Sequence, residues 1–381
     1  MSFLHPTVRF YTSGFKMKYT PIIITSLTLV IMLTHIIMPD REFSENENRI
    51  LQQLPEMSKR ELLNGDFSEK TSSYLADQFP FRDGILSAKT TFEKATFHSL
   101  INNVFIGKDG YRIENYSPSD CTGTVAKNVN TLVDATKAKV ELMLVPTAIE
   151  SLSDKTPVFS EGVHPSQLED LNNIYSLSKA DNISSHIAAL KKSDRKTYYR
   201  TDHHWTSEGA YLGYLAFCRE NEIEPQPESA FDIKTVTQCF KGTIYSKLNE
   251  GGETGEQIKA YLKDEDLEIK YDSKSSNSLY NYDYLEKKDK YSFFLDNIHT
   301  LVQIKNKNAQ SDKTLVVIKD SYANCFIPFL TAHYKYIYVI DPRSFTDSLT
   351  EFINEKKADT VLVLYNMNTL SEDTGMMGEW F

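Results

Sequence analysis

The sequence predicts an α/β fold, a parallel sheet covered by helices on both faces, with one membrane-spanning helix ahead of it. Three observations carry that expectation. Short apolar runs alternate with helical patterns: residues 140–145 (VELMLV), 315–318 (LVVI), 336–340 (YIYVI) and 360–364 (TVLVL) are near-continuous in apolar residues, as strands buried on both faces are. Residues 19–38 (YTPIIITSLTLVIMLTHIIM) carry no formal charge. The 381 residues are 40% hydrophobic and 25% charged, the balance of a globular chain long enough to bury a core without disulfide or metal staples.

From the N-terminus, residues 1–18 hold Arg9, Lys16 and Lys18 and no acid. Residues 19–38 are long enough to cross a hydrocarbon core of about 30 Å. Asp40, Arg41, Glu42, Glu45 and Glu47 follow, so the positive-inside bias places residues 1–18 in the cytoplasm and the rest outside. A buried core helix and a cleaved signal peptide are the alternatives. The run ends in HIIMPDREF, without small residues for cleavage, which favours an uncleaved, single-pass signal anchor in the cell membrane.

Residues 39–65 are polar and read as an extracytoplasmic stalk. The folded domain then occupies 66–381. In 66–100, Phe67, Tyr74, Leu75, Phe79, Phe81, Ile85, Leu86, Phe92 and Phe97 suggest two helices broken at Pro80. A helix over 125–138 precedes the strand at 140–145, which Pro146 closes. Residues 322–333 and 344–357 have helical length and spacing between the later strands. Around 245–312 the pattern fails: 271–290 (YDSKSSNSLYNYDYLEKKDK) reads as a polar, tyrosine-rich surface insertion, either stacking on sugar rings or simply solvated.

Some functions are excluded early. A net charge of -10 supplies no basic stripe for nucleic acid. Cys121, Cys218, Cys239 and Cys325 lie far apart with no CxxC pair, so neither a zinc ribbon nor a disulfide scaffold is written here. Pairing of Cys218 with Cys239 stays open, and Cys325 is expected to pack as a small apolar residue.

Two segments concentrate chemistry. In 198–211 (YYRTDHHWTSEGAY) an Asp, two His and a Trp stand on a loop entering a helix. Thr206 or Ser207 is its cap, and Ala210, Tyr211, Tyr214, Leu215 and Cys218 form its apolar face. In 314–329 (TLVVIKDSYANCFIPF) a strand runs into Asp320 and Ser321 at the carboxyl edge of the sheet, where parallel sheets place their sites. A helix after Ser321 would favour developing negative charge. Each segment has a plainer reading: Asp320 and Ser321 are ordinary capping residues, and Asp202 with His203 or His204 and a distant His164 is a metal-ligand set or a structural hydrogen-bond cluster. Together they supply what a serine nucleophile needs, a neutral imidazole and a carboxylate that orients it.

TDHHWTSEGAY followed by LVVIKDSYANCFIPFL resembles the bacterial DHHW protein family, and the related catalytic domains of the alginate O-acetyltransferases within the SGNH hydrolase superfamily. SENENRIL after the apolar run, DQFPFRD at 77–83, IGKDGY at 106–111, FKGTIYSK at 240–247 and VIDPR at 339–343 extend the likeness along the chain. The resemblance implies an SGNH-like three-layer domain over 66–381, with Asp202 orienting, His204 as base and Ser321 as nucleophile. His203 occupies the variable position of the tetrapeptide. Lys319 stands where the superfamily's Gly-Asp-Ser block has glycine, and the serine follows the Asp-His pair in permuted order. The Ser321 N–H, Asn297 and Asn366 are candidate oxyanion donors; Arg343, His203 and Trp205 are candidate substrate contacts.

The implied activity is transfer of an acetyl group onto hydroxyls of an extracellular or cell-wall polysaccharide through acyl-Ser321, with no cofactor. A membrane-bound O-acyltransferase partner would supply the acetyl group. An acetyl esterase, a non-catalytic glycan-binding or scaffold protein, and a metal-dependent hydrolase are the rival readings.

Overall fold

The computed structural model describes residues 19–44, 46–47, 49–118, 121–157, 166–250, 252, 255–370 and 378. His164, the distant member of the possible ligand set, lies outside them. The chain divides into two compact units: residues up to Ser44 with Arg49–Ile85, and residues 45–48 with everything from Leu86 onward.

The first unit begins with α1 (Thr20–Ile37), 18 residues with none buried, long and apolar enough to cross a membrane. Its length is about 27 Å at 1.5 Å per residue. The 39–65 segment expected as a stalk carries structure. Phe43–Ser44 pairs with Arg49–Ile50, and Ser58 caps α2 (Lys59–Asn64) by accepting from the Glu61 N–H at 3.2 Å. Two helices follow, α3 (Asp66–Asp77) and α4 (Arg82–Ala95), parted by a turn that contains Pro80.

The second unit is mixed α/β. In chain order it holds α5 (Thr122–Ala135), β1 (Lys139–Val145), α6 (Gln167–Leu177), β2 (Asn182–Ile183), α7 (Ser207–Glu220), β3 (Asp232–Phe240), α8 (Thr243–Leu248) and β4 (Glu256–Leu262). Then come β5 (Leu267–Tyr271), β6 (Lys274–Ser276), β7 (Leu301–Asn306), β8 (Thr314–Lys319), β9 (Tyr336–Ile340), α9 (Leu349–Lys356) and β10 (Thr360–Asn366). Among the described residues, eight strands form one sheet in the order β6-β5-β7-β9-β8-β10-β1-β2. The five from β9 to β2 run parallel. All of β8 and β10 is buried, so both faces of the sheet are covered there. From β8 the chain moves to one side for β9 and returns to the other side for β10. Connections therefore reverse at the carboxyl end of β8, where open α/β sheets leave a crevice.

Two expectations fail here. The sheet is not wholly parallel: β7 pairs antiparallel with β9, β5 with β7, and β6 with β5. Those strands come from the supposed surface insertion. In β5 burial alternates strictly, with Leu267, Ile269 and Tyr271 inward, while Tyr291, Phe293 and Phe294 are also buried. Polar residues in this region take the solvent face of a one-sided antiparallel sheet, which dilutes apolar character along the chain. The second failure is the helix after Ser321. Two short 3₁₀ turns, Ser321–Cys325 and Ile327–Phe329, take its place. Tyr322 to Leu330 are buried all round, and Pro328 lacks the N–H that a helix interior requires.

Candidate active site

The DHHW loop is a narrow hairpin. Tyr198 and Trp205 form an antiparallel bridge, and the Thr206 N–H donates to Thr197 O at 2.9 Å. Thr206 caps α7, its hydroxyl accepting from the Gly209 N–H at 3.1 Å. Buried Glu256 at the start of β4 fixes the far end, accepting from the backbone N–H groups of Arg200 and Thr201, each at 2.9 Å. A carboxylate spanning two adjacent amides sets the turn that aims Asp202 inward.

Asp202, His204 and Ser321 form one hydrogen-bonded chain. His204 Nδ1 lies 2.6 Å from Asp202 Oδ1, and His204 Nε2 lies 2.7 Å from Ser321 Oγ. The second carboxylate oxygen accepts from the Thr243 N–H at 2.8 Å and its hydroxyl at 3.0 Å. These donors come from the FKGTIYSK block, which explains Gly242: a Cβ there would stand 2.2 Å from Asp202 Oδ2. Burial opposes ionisation of Asp202, but the two neighbouring imidazoles and the His204 hydrogen bonds outweigh it and hold the carboxyl well below its usual range. An ionised Asp202 keeps the proton on His204 Nδ1, so Nε2 is free to accept from Ser321. Burial and the adjacent His203 push His204 down to about 4, leaving the ring neutral at ordinary pH.

Two rings pack against His204. Tyr291 stacks on it with centroids 3.6 Å apart and planes 11° from parallel, and His203 lies 3.9 Å away. The Tyr291 hydroxyl donates to Ser321 O at 3.2 Å and lies 3.4 Å from Cys325 Sγ. Sequence reasoning missed Tyr291 because it stands in the tyrosine-rich insertion. It also missed Thr243 and Gly242, although the block containing them was legible.

Ser321 follows β8 directly. Asp320, fully buried, holds the turn: Oδ1 accepts from the Tyr322 N–H at 2.9 Å, and Oδ2 accepts from Asn366 N at 2.8 Å and Nδ2 at 2.6 Å. Burial raises its carboxyl to about 6 against those donors. Lys319 is also buried and donates to Asn324 Oδ1 at 2.8 Å; burial pulls it down to about 8, opposed by Asp341 and Asp320.

The remaining candidates divide. Asn366 is not available as an oxyanion donor, because its amide is spent on Asp320 and on Thr369 Oγ1 at 2.6 Å. Trp205 is wholly buried, so it is no substrate contact; its indole N–H donates to Tyr322 O at 2.8 Å and its ring stacks on Phe326. Arg343 grips Asp341 through its guanidinium, with Nε at 2.8 Å. His203 stays partly exposed, its Nδ1 2.7 Å from Thr243 Oγ1. Asn297 adopts φ 80° and receives Asn324 Nδ2 on its carbonyl at 3.4 Å. The Ser321 N–H donates to no described residue. Cys218 is buried and Cys239 exposed, and both are free thiols; Cys325 packs under the Ser321 turn.

Asp202, His203 and His204 offer three ligand atoms within 4.8 Å of one another. Both ring nitrogens of His204 already point at Asp202 and Ser321, so a metal bound there would break the chain just described.

The profile of the DHHW protein family matches residues 87–340. The chain belongs to the DHHW family. A DHHW family protein from Eubacterium siraeum superposes with a TM-score of 0.63 at 24% identity, over 72% of this chain and 95% of that one. Bacillus cereus PatB1, in a structure with a sulfonyl adduct, superposes with a TM-score of 0.59 at 18% identity, over 73% of this chain and all of PatB1. These likenesses place the DHHW chain in a shared fold. No curated protein matches it by sequence.

Proposed function

We propose that this DHHW protein is a membrane-anchored serine acyltransferase, with an SGNH-like three-layer domain held outside the cytoplasmic membrane. It moves acetyl groups onto hydroxyls of an extracellular or cell-wall polysaccharide. The observation that carries the reading is the continuous Asp202–His204–Ser321 chain with a neutral imidazole at its centre. Ser321 Oγ attacks the acetyl carbonyl while its proton passes to His204 Nε2, and Asp202 stabilises the imidazolium. The Ser321 N–H is the nearest unused donor for the oxyanion, with Asn297 a second candidate. Collapse breaks the bond to the donor's leaving group, which takes the proton from His204 and leaves acetyl-Ser321. A sugar hydroxyl then gives its proton to the same nitrogen and attacks the ester carbonyl; as the C–Oγ bond breaks, Ser321 Oγ takes that proton back and the sugar departs acetylated.

A cleft of about 540 Å³, lined by polar and apolar groups in about equal measure, flanks the DHHW loop; it is bordered by Tyr111, Arg200, Glu208, Gln257 and Lys259, and none of Asp202, His204 and Ser321 lines it. Hydroxyl, amide and charged groups there could hold sugar hydroxyls beside the loop. A membrane-bound O-acyltransferase partner is the proposed acetyl source. If water replaces the sugar, the same steps give an esterase, and the product distinguishes the two.

The test uses two reagents on the full chain, an aryl sulfonyl fluoride and an activated acetyl ester, with peptide mass spectrometry to locate the adduct. Sulfonylation of a relative, as in PatB1, makes the first reagent a natural choice. Adducts on Ser321 that vanish in His204→Ala support the proposal. An unmodified Ser321 with both reagents would return the loop to a structural or glycan-binding role.

A further inference from the structure

Large apolar side chains left exposed are unevenly distributed. Among the described residues after α1, ten lie between Phe43 and Ile85, whereas only seven lie in the far longer stretch from Leu86 to Leu370. Soluble surfaces seldom concentrate apolar groups in this way without covering them. Four of the ten, Leu75, Phe79, Phe81 and Ile85, line the α3–α4 turn, and Phe81 is 72% exposed. Its φ of 58° is rare for an aromatic residue, so the neighbouring chain holds the backbone in this conformation.

The same turn is tied to the end of α1. His35 Nδ1–H donates to Gln78 O at 3.1 Å, and the His35 ring meets Tyr74 edge-on at 5.6 Å. Gln78 exchanges hydrogen bonds with the Arg41 backbone, accepting from N at 3.0 Å and donating to O at 2.9 Å. The Arg41 guanidinium then reaches Asp83 with both terminal nitrogens, at 2.8 and 3.3 Å. His35 is two residues from the end of α1, about 3 Å along its axis. The headgroup layer is about 5–7 Å deep on each side of the hydrocarbon core. A turn bonded to His35 and Arg41 therefore stands at headgroup height when α1 spans the bilayer.

We propose that the α3–α4 turn is seated in the lipid interface at the carboxyl end of α1, with Phe79 and Phe81 inserted at the boundary between headgroups and acyl chains. Aromatic rings favour that layer, and amphipathic helices lie in it with their apolar side down. The His35, Arg41 and Asp83 contacts fix the angle at which the chain leaves the membrane. The inference rests on α1 as a membrane span, and the experiment separates the two.

The full chain, carrying Cys239→Ser to remove the exposed native thiol, is placed one copy per nanodisc of phosphatidylethanolamine and phosphatidylglycerol. A nitroxide is attached in turn at Phe79→Cys, Phe81→Cys, Leu29→Cys within α1, and Lys270→Cys on the exposed face of β5. Collisions with oxygen and with a water-soluble nickel chelate are measured by spin resonance. The expected result is a several-fold drop in nickel collisions at positions 79 and 81 relative to 270, with oxygen access retained. Lipid-like values at 29 with water-like values at 79 and 81 overturn the inference and leave the span. Water-like values at 29 overturn both. Shielding of 79 and 81 from both reagents also overturns it, in favour of a protein surface as the occupant.

Discussion

The two halves of the large sheet reach the same site by different means. The parallel half, β8, β9, β10 and β1, is apolar at nearly every position and delivers Ser321 at a strand end. The antiparallel half, β5 to β7 with the turns between them, alternates inward apolar and outward polar residues and delivers Tyr291 against His204. One half places Ser321 and the other braces the His204 ring. A sheet extension that looks like decoration in the sequence is thus part of the geometry that chemistry would require.

The largest effect expected is at the parallel edge. Ser321→Ala should abolish acyl-enzyme formation, and His204→Ala should slow it by at least about 10³-fold, read by adduct mass spectrometry and ester turnover. Gly242→Ala should follow. The new Cβ cannot coexist with Asp202 in its present place, and displacing that carboxylate should slow acylation by about 10²-fold. Ordinary acylation in Gly242→Ala would mean that Asp202 tolerates movement.

Tyr291 tests the other half directly. Tyr291→Ala should cost at most roughly tenfold in rate, the upper end of an aromatic stack worth about 0.5–1.5 kcal/mol. Tyr291→Phe keeps the ring and loses only the bond to Ser321 O, so about a two- to threefold loss is expected in the same assay. Equal losses in both variants would show that the hydroxyl, not the stack, matters.

The pH profile offers a finer comparison. His204 must be neutral to act as a base, so with its value near 4 the acylation rate should hold through pH 5 and fall only as pH drops through about 4. Because the folded value lies below the ordinary 6.5, the native state binds fewer protons than the unfolded chain between about 4 and 6.5. Stability should therefore rise with pH across that window, as denaturant titrations would report. Asp202 works in the same direction: its depressed carboxyl contributes stability above 3.8 that is lost on further acidification. The smallest effect is assigned to Lys319→Met. Lys319 helps to keep His204 unprotonated, so its loss should move the acid limb of the rate upward by less than about one pH unit.

Much of the parallel half was legible because strands buried on both faces have few polar positions to interrupt the pattern. The hydrogen-bonded set of Asp202, His204 and Ser321 was legible, since DHHW and the strand-to-Asp-Ser turn are local strings. Its supports were not. Thr243 and Glu256 reach the loop from positions 41 and 55 residues away, a closeness that no local periodicity records. The antiparallel strands were hidden because a one-sided sheet spends half its positions on polar residues. The 3₁₀ turns after Ser321 were missed because near-continuous apolar character satisfies a helical template on length alone.

Those turns carry a consequence for how charge is handled. A five-residue 3₁₀ segment aligns too few peptides to sum into a long-range field. Any negative charge that grows beside Ser321 is met by separate, short-range groups, each with its own direction. Such a site is modular: a donor can be lost, moved or added without retuning a whole element. Under the proposed chemistry, its selectivity for one leaving group over another can then drift in small steps while the fold beneath stays still.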